Sequence, residues 1–520
     1  MDSHPAMRTE DLRADTAGGA TRLAILAVVV FAVVWIDLGP IHWFHHADSL
    51  LPTIASCTKW TPFFWGQNRL GALVPLLALP FRHPLVNLFI QSGLNSFLGL
   101  LAIFLAARYV GGRKRWIIGG TLAALLFIFW PRTLVFNYFI AHHEYGSALG
   151  LGFAALLLLS KEDGRRGGLR FALGVGCLFC ALWVNFATAI TLGAAVVWKW
   201  LFSGSFVSDW RSLRSAGLAQ GLKSLAQKEP PRTLLIIAGI LILWLGVSLF
   251  PSHRQDYAKL SLGSGQWRAY AALAVNSWRQ FLSGVLWKEW MVVIVMALAS
   301  LFARAGRRAL RASALAAGCL FAAAVCHFAV MGTLDWVAQW HYNPRYATTS
   351  VVMLHCALAV FAGMQWHAVL EDRRASIVTT GLVIAMAVAI ILMFAPPSPR
   401  GVRALIDQRF GTCTNDVLTS GSTHICGNYL TVWPAVFHVN MVLHEQGSRR
   451  RIWGITDRSE PTQDKWLSIP MEQWKVAVPI RERPRNNVDR FIRSFRLPPF
   501  EKIETLTTIE VFRLRLEREK

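Results

Sequence analysis

Charge is what this 520-residue sequence most lacks: Asp, Glu, Lys and Arg together make up 16% of it, against about 25% in an average soluble domain. The shortage is uneven, with 30 acidic residues against 53 basic ones, while 54% of the chain is hydrophobic. A soluble α/β core cannot hide that much apolar chain. Runs such as 23–36, 117–130 and 377–395 approach or reach the roughly 20 residues a helix needs to cross a bilayer core. Other absences narrow the reading further. There is no internal repeat and no low-complexity tract beyond the basic tail. The first apolar run follows a polar, mixed-charge segment and lacks a small-x-small cleavage site, so it is expected to be an uncleaved signal anchor. Wet cysteine is scarce too. Cys177, Cys180, Cys319, Cys326 and Cys356 fall inside apolar runs, where a thiol behaves as a small hydrophobe, which leaves Cys57, Cys413 and Cys426.

The net charge of +23 and pI near 10.3 do not indicate a nucleic-acid partner. The basic residues sit in short clusters between apolar runs and along a C-terminal tail, a pattern that reports topology first. Anionic lipid headgroups are their natural partners.

Eleven spans are expected near 23–40, 84–107, 116–134, 146–160, 170–186, 188–202, 233–250, 290–303, 312–333, 348–366 and 377–395. With residues 1–22 as a cytoplasmic tail, every second loop is basic. The cytoplasmic loops then carry Arg108, Arg113, Lys114 and Arg115, then Lys161, Arg165, Arg166 and Arg170, then Arg211, Arg214, Lys223, Lys228 and Arg232, then Arg304, Arg307, Arg308 and Arg311, and last Arg373 and Arg374. The other loops hold histidine, tryptophan and scattered acids, and the stretch 69–83 in the first of them has re-entrant or interfacial character. This predicts a multi-pass protein of a bacterial inner membrane: a transmembrane domain over 23–395, whose first periplasmic loop is 41–83, followed by a periplasmic domain over 396–520.

That last segment opens at a Pro-rich exit, PPSPR. YLTVWPAVFHV, KVAVPI and TTIEVFRLRL read as strands and 484–496 as a short helix, so the fold class is mainly α and polytopic with a soluble C-terminal α/β domain. Cys413 and Cys426 lie close in sequence in an oxidising compartment, which favours a disulfide over two thiols.

Candidate chemistry collects in the non-basic loops. Asp48 follows His45 and His46 and precedes an apolar segment; a carboxylate at the membrane surface suits a general base, and equally an N-cap. His142, His143 and Glu144 stand at a helix start, where Glu144 is either a functional acid or a partner for the helix dipole. No metal site is indicated, because only clustered candidates are present and not three or four spaced ligands. Arg345 and Tyr346 in WHYNPRYATTS offer a guanidinium for a phosphate and a ring for stacking, or act as interfacial anchors. Arg254, Asp256, Arg268, Lys288 and Glu289 have no motif behind them, and interfacial belts explain most of the 22 tryptophans.

Together, HHADSLLP around Asp48, the WGQNRLG stretch running from Trp65 to Pro75, HHEYG and NPRY resemble the multi-spanning glycosyltransferases of the C-type (GT-C) fold. The likeness extends to helix number, to an acid after the first helix and to a terminal periplasmic domain. Where such enzymes often show paired acids, Asp48 is followed by Ser49. The resemblance implies transfer of a sugar from a polyprenyl-phosphate donor to a glycan, lipid or protein acceptor, with inversion and without a required cofactor. Asp48 and Glu144 would be catalytic, Asp48 as base and Glu144 positioning acceptor or sugar. Arg345 and Arg69 would hold the phosphate, with Trp65, His143 and Tyr346 also touching substrate. The alternatives are a flippase of a lipid-linked saccharide, disfavoured by the near absence of charge in the spans, and an envelope assembly protein, for which eleven helices are too many.

Overall fold

The computed structural model describes residues 7–38, 47–63, 71–130, 135, 138–139, 144–160, 167–202, 206–215, 220, 228–249, 271–272, 274–276, 279, 306–339, 343–370, 372–456, 469–482 and 499–515. Among them the chain is a helical bundle followed by a small α/β domain. The helices in order are α1 (Met7–Asp37), α2 (Ala47–Cys57), α3 (Leu73–Leu77), α4 (Pro84–Ile128), α5 (Tyr145–Leu159), α6 (Gly167–Val184), α7 (Thr188–Phe202), α8 (Phe206–Ser215), α9 (Glu229–Leu249), α10 (Arg307–Gly332), α11 (Asp335–Gln339), α12 (Thr348–Val369) and α13 (Asp372–Met393).

Seven of these segments are long and apolar enough to cross a membrane, and Arg115–Ile128, Tyr145–Leu159 and Thr188–Phe202 are shorter apolar helices. Ten of the eleven expected spans therefore coincide with apolar helices, and the eleventh, 290–303, lies outside the described residues. The second and third spans are one element, α4, bent where Gly112 adopts φ 72°, a left-handed conformation that glycine takes without strain. The stretch 73–77 is the short helix α3.

The bundle has two chemically distinct ends. At one, the basic residues act on helix termini: Arg170 donates to the carbonyls of Leu157 (2.8 Å) and Leu158 (3.1 Å), and Arg232 to that of Leu159 (3.1 Å), covering the exposed end of α5. Lys199 lies 4.5 Å from the centre of the Tyr109 ring and 3.8 Å from Glu229. At the other end α1 and α13 are tied together, Trp35 Nε1 donating to Phe394 O at 3.1 Å and Ser398 N to Leu38 O at 2.6 Å. The C-terminal domain grows from this second end. The packing centre is α12: 83% of its apolar window is buried, against 22% for α13. It lies against α4 so closely that a Cβ on Gly363 would overlap the backbone of Gly119, the small-residue approach that packs helices where lipid removes the hydrophobic drive.

The C-terminal domain begins with α14 (Pro399–Thr419), then β1 (His424–Gly427), α15 (Tyr429–Glu445), β2 (Trp453–Thr456), β3 (Lys475–Pro479), β4 (Phe500–Thr505) and β5 (Ile509–Leu514). The sheet order is β2-β1-β3-β5-β4, parallel among the first three strands and antiparallel after. The strand expectations hold at β3 and β5, and the 484–496 helix lies outside the described residues. The stretch 429–439 is a helix and not a strand. Asn428 caps it, accepting from Leu430 N at 2.9 Å, and Tyr429 and the run Val432–Met441 are all buried because α15 lies between the sheet and α2. A helix apolar all round carries no 3.6-residue stripe to separate it from a buried strand.

The expected Cys413–Cys426 disulfide is absent; both are thiols. The pleat of β1 explains it. Ile425 points into the cluster shared with α14 and α15, against which Cys413 packs, and Cys426 points to the other face beside Trp474 and Phe512. The sheet stands between the two sulfurs. What joins α14 to α15 is instead a relay running from the core to the surface: His438 Nδ1 shares a hydrogen bond with Thr414 Oγ1 (2.6 Å) and Nε2 with Oδ1 of the half-exposed Asp407 (2.8 Å). Burial pushes the His438 imidazole below its usual range, with Asp407 opposing.

Candidate active site

The site is assembled on the first half-turns of four separate elements. α2 belongs by sequence to the first loop, yet it packs between α4 and α15, and Leu50, Leu51 and Ile54 share one apolar cluster with Leu85 and Leu88 of α4 and Val432 and Val436 of α15. That cluster fixes the N-terminus of α2 in the seam between bundle and domain. Asp48 lies in its first turn, where an acid is favoured by the helix dipole, but only 4% of it is exposed. Burying a carboxylate costs several kcal/mol in order of magnitude unless it is paired. Its partners come from far along the chain. Tyr429, the first residue of α15, donates its hydroxyl to Asp48 Oδ1 at 2.8 Å, and Arg345 Nη1 lies 3.9 Å from Oδ2.

Arg345 is held by local chemistry. Asn343 accepts from Arg345 N at 3.1 Å, opening a single 3-10 turn over Pro344–Ala347 that leads into α12. The guanidinium donates from Nη2 to the Tyr346 hydroxyl at 2.6 Å and sits 4.7 Å from that ring's centre. The Tyr145 phenol, at the start of α5, is close enough to interact electrostatically with Arg345. Glu144, just before it, is buried and is the one non-glycine residue with positive φ (46°) among the described residues. Such a conformation costs roughly 1–3 kcal/mol and clusters at working sites. Asp48, Arg345 and Tyr346 thus come together as expected, with Glu144 beside Tyr145. Trp65, Arg69 and His143 lie outside the described residues, as do Arg254, Asp256, Arg268, Lys288 and Glu289.

Two parts of the site escaped sequence reasoning. Tyr429 was hidden by the strand reading of its segment. The second is a stripe of buried polar groups on α4 that orients its neighbours. Asn87 donates to Ser56 Oγ of α2 (2.9 Å) and to the carbonyls of Ala78 and Phe81 (2.8 Å each). Gln91 donates to Asn87 Oδ1 (2.6 Å). Ser92 and Ser96 donate to Asp37 Oδ1 at the end of α1 (2.6 and 3.1 Å). Asn95 accepts from the backbone and hydroxyl of Ser147 in α5. The signal was present as amides at i, i+4 and i+8, one face of a helix. No group of three or more His, Cys, Asp or Glu able to hold a metal ion occurs among the described residues.

No protein-family model matches the chain, and no curated protein does. Two solved structures overlay on it. One is ArnT from Cupriavidus metallidurans bound to undecaprenyl phosphate, at TM-score 0.45 and 12% identity, covering 94% of this chain and 97% of that one. The other is the Archaeoglobus fulgidus oligosaccharyltransferase in complex with Zn and sulfate, at TM-score 0.38 and 12% identity, covering 88% of this chain and 68% of that one. Overlaps this loose say nothing of substrate or reaction.

Proposed function

We propose that the protein is a membrane glycosyltransferase that moves a sugar from a polyprenyl-phosphate donor to an acceptor hydroxyl, and that the end of the bundle bearing the C-terminal domain faces the periplasm. The observation that carries this reading is the buried pairing of Asp48 with Arg345 and Tyr429, three residues from the first loop, the start of α12 and the C-terminal domain. A base and a phosphate-binding cation meet at a membrane boundary, which is what transfer from a lipid phosphate needs.

In this mechanism the acceptor O–H gives its proton to Asp48 as the oxygen attacks the anomeric carbon. The carbon–oxygen bond to the lipid phosphate breaks, and the configuration inverts. Tyr429 fixes one carboxylate oxygen, and the other takes the acceptor proton. Arg345 exchanges its distant contact with Asp48 for the phosphate, where negative charge develops on the leaving oxygen; a fixed donor aimed at such charge is worth about 10²–10³ in rate. Glu144 positions sugar or acceptor. The neighbouring helices accommodate the polyprenyl tail.

A flippase would need charged groups through the depth of the bundle. Among the described residues the buried acids Asp37, Asp48 and Glu144 all sit at the domain end, and Asp209 beside Lys228 at the arginine end, with none between. The test is transfer of radiolabelled sugar from a panel of polyprenyl-phosphate donors into envelope glycans, comparing the intact chain with Asp48→Asn at matched expression. Loss of labelling in a folded variant supports the base assignment, equal labelling removes Asp48 from catalysis, and no labelling from either chain across the panel overturns the enzyme reading.

A further inference from the structure

Helix α2 has a second end. From Asp48 to Cys57 it rises roughly 14 Å at 1.5 Å per residue, and there the seam between bundle and domain opens into a small cleft. Its floor is apolar, with Ile54 from α2 and Phe437 from α15, and its polar wall carries Arg82, Arg451, His444 and Thr58. Arg82 comes from the membrane side and Arg451 from the C-terminal domain, and both act electrostatically on the Cys57 thiol between them.

Two guanidinium groups facing one cleft call for an anion. Among the described residues none is supplied: neither arginine forms an ion pair with a carboxylate, and Glu445, next to His444, is already engaged by His83 at 3.3 Å and by Arg403. Arg451 is held in place, its Nη1 donating to Ser448 O (3.0 Å) and Arg450 O (2.8 Å). Like charges kept together without a counter-charge favour a bound anion with several acceptor oxygens, and arginine pairs best with phosphate. The location narrows the source. Arg82 stands two residues before Pro84, where a membrane span begins, which is the depth of lipid headgroups.

The geometry points to a second ligand site, separate from Asp48, in which the phosphate of an anionic phospholipid headgroup bridges Arg82 and Arg451. Bound there, the lipid fastens the C-terminal domain to the membrane surface. The site stands whether or not the chain transfers sugar.

The experiment uses the full chain in detergent, with lipid retention read by native mass spectrometry. Phosphatidylglycerol is expected to stay bound through washing and phosphatidylcholine to be lost. Arg82→Gln, a change at an exposed side chain, and the double change Arg82→Gln/Arg451→Gln are expected to cut retention by about tenfold or more, the loss of a charge-assisted contact. Arg373→Gln/Arg374→Gln, which removes the same charge at the other end of the bundle, is expected to retain as the parent does. Added phosphatidylglycerol should raise the melting temperature of the parent and not of Arg82→Gln. Equal retention by parent and Arg82→Gln overturns the site, and stabilisation by millimolar inorganic phosphate that matches phosphatidylglycerol overturns the lipid as its occupant.

Discussion

From Asn87 to Ser96, helix α4 buries two asparagines, a glutamine and two serines; from Leu100 onward its buried side chains are alanine, large hydrophobes and Thr121. The two stretches belong to one helix and pack against some of the same neighbours, yet they are built differently. The apolar stretch holds its neighbours by close approach, as at Gly119 against Gly363, and asks only for shape. The polar stretch holds α1, α2 and α5 by directed hydrogen bonds, each of which sets an orientation as well as a distance. Polar groups are expensive in a bilayer and persist where position matters. Here they lie at the domain end of the bundle, the end where Asp48, Arg345 and Tyr429 meet and where the proposed function places its chemistry.

The largest effect that would sharpen this comparison is on Arg345. Arg345→Gln keeps hydrogen bonding but removes the charge and the fork, so transfer should fall about 100-fold, near 2.7 kcal/mol. Circular dichroism and melting temperature should stay near the parent's, since Arg345 is only partly buried. At the apolar stretch the opposite is expected. Gly363→Ala forces α12 from α4 and should cost about 1–3 kcal/mol of stability, lowering folded yield while leaving transfer per folded molecule unchanged. A Gly363→Ala chain that folds fully but transfers poorly would break the division between the two ends.

Next comes the polar frame itself. Asn95→Ala strands the amide and hydroxyl of Ser147, each buried, at a cost of about 1–3 kcal/mol. Because Ser147 is three residues beyond Glu144, both melting temperature and transfer should drop. Tyr429→Phe should be milder, about tenfold in transfer, as one hydrogen bond to a carboxylate is lost without a cavity. A larger fall in transfer from Gly363→Ala than from Asn95→Ala, measured per folded molecule, would contradict the assignment of roles.

How much of this was legible beforehand follows from what each feature depends on. Spans were legible because hydropathy over some 20 residues is local, and Asp48 and Arg345 because charges beside apolar runs stand out. Their pairing was not, since it depends on where α12 enters the bundle, 297 residues away in sequence by the separation of positions 48 and 345. The α4 stripe was readable from its spacing but masked by an otherwise apolar run. Tyr429 was lost with the strand reading of α15, a helix whose burial erased its own periodicity. The disulfide failed for a similar reason: proximity in sequence says nothing of which face of β1 a thiol takes.

The smallest expected effect tests the domain against the bundle through pH. His424 on β1 is buried, stacked 4.3 Å from Trp474 with Thr423 Oγ1 on its Nδ1 at 2.8 Å, and burial pushes its pKa down to about 3. A histidine whose folded pKa lies below its unfolded value near 6.5 takes up protons more readily when unfolded. Its contribution is therefore complete above about pH 6.5 and is lost as pH falls toward the folded value, by at most about 1.4 kcal/mol per pH unit. His438 adds a second loss of the same sign, while Asp407, held below the usual carboxylate range because its hydrogen bonds to His438 and Arg403 outweigh burial, contributes stability that is complete above about pH 4 and is lost only as pH falls below it. The domain should thus loosen on mild acidification. His424→Phe keeps the stack on Trp474 and removes one titrating group, so between pH 6.5 and 5 its melting temperature should fall less steeply than the parent's. Parallel slopes for the two chains would mean that His424 is reached by water in the folded domain.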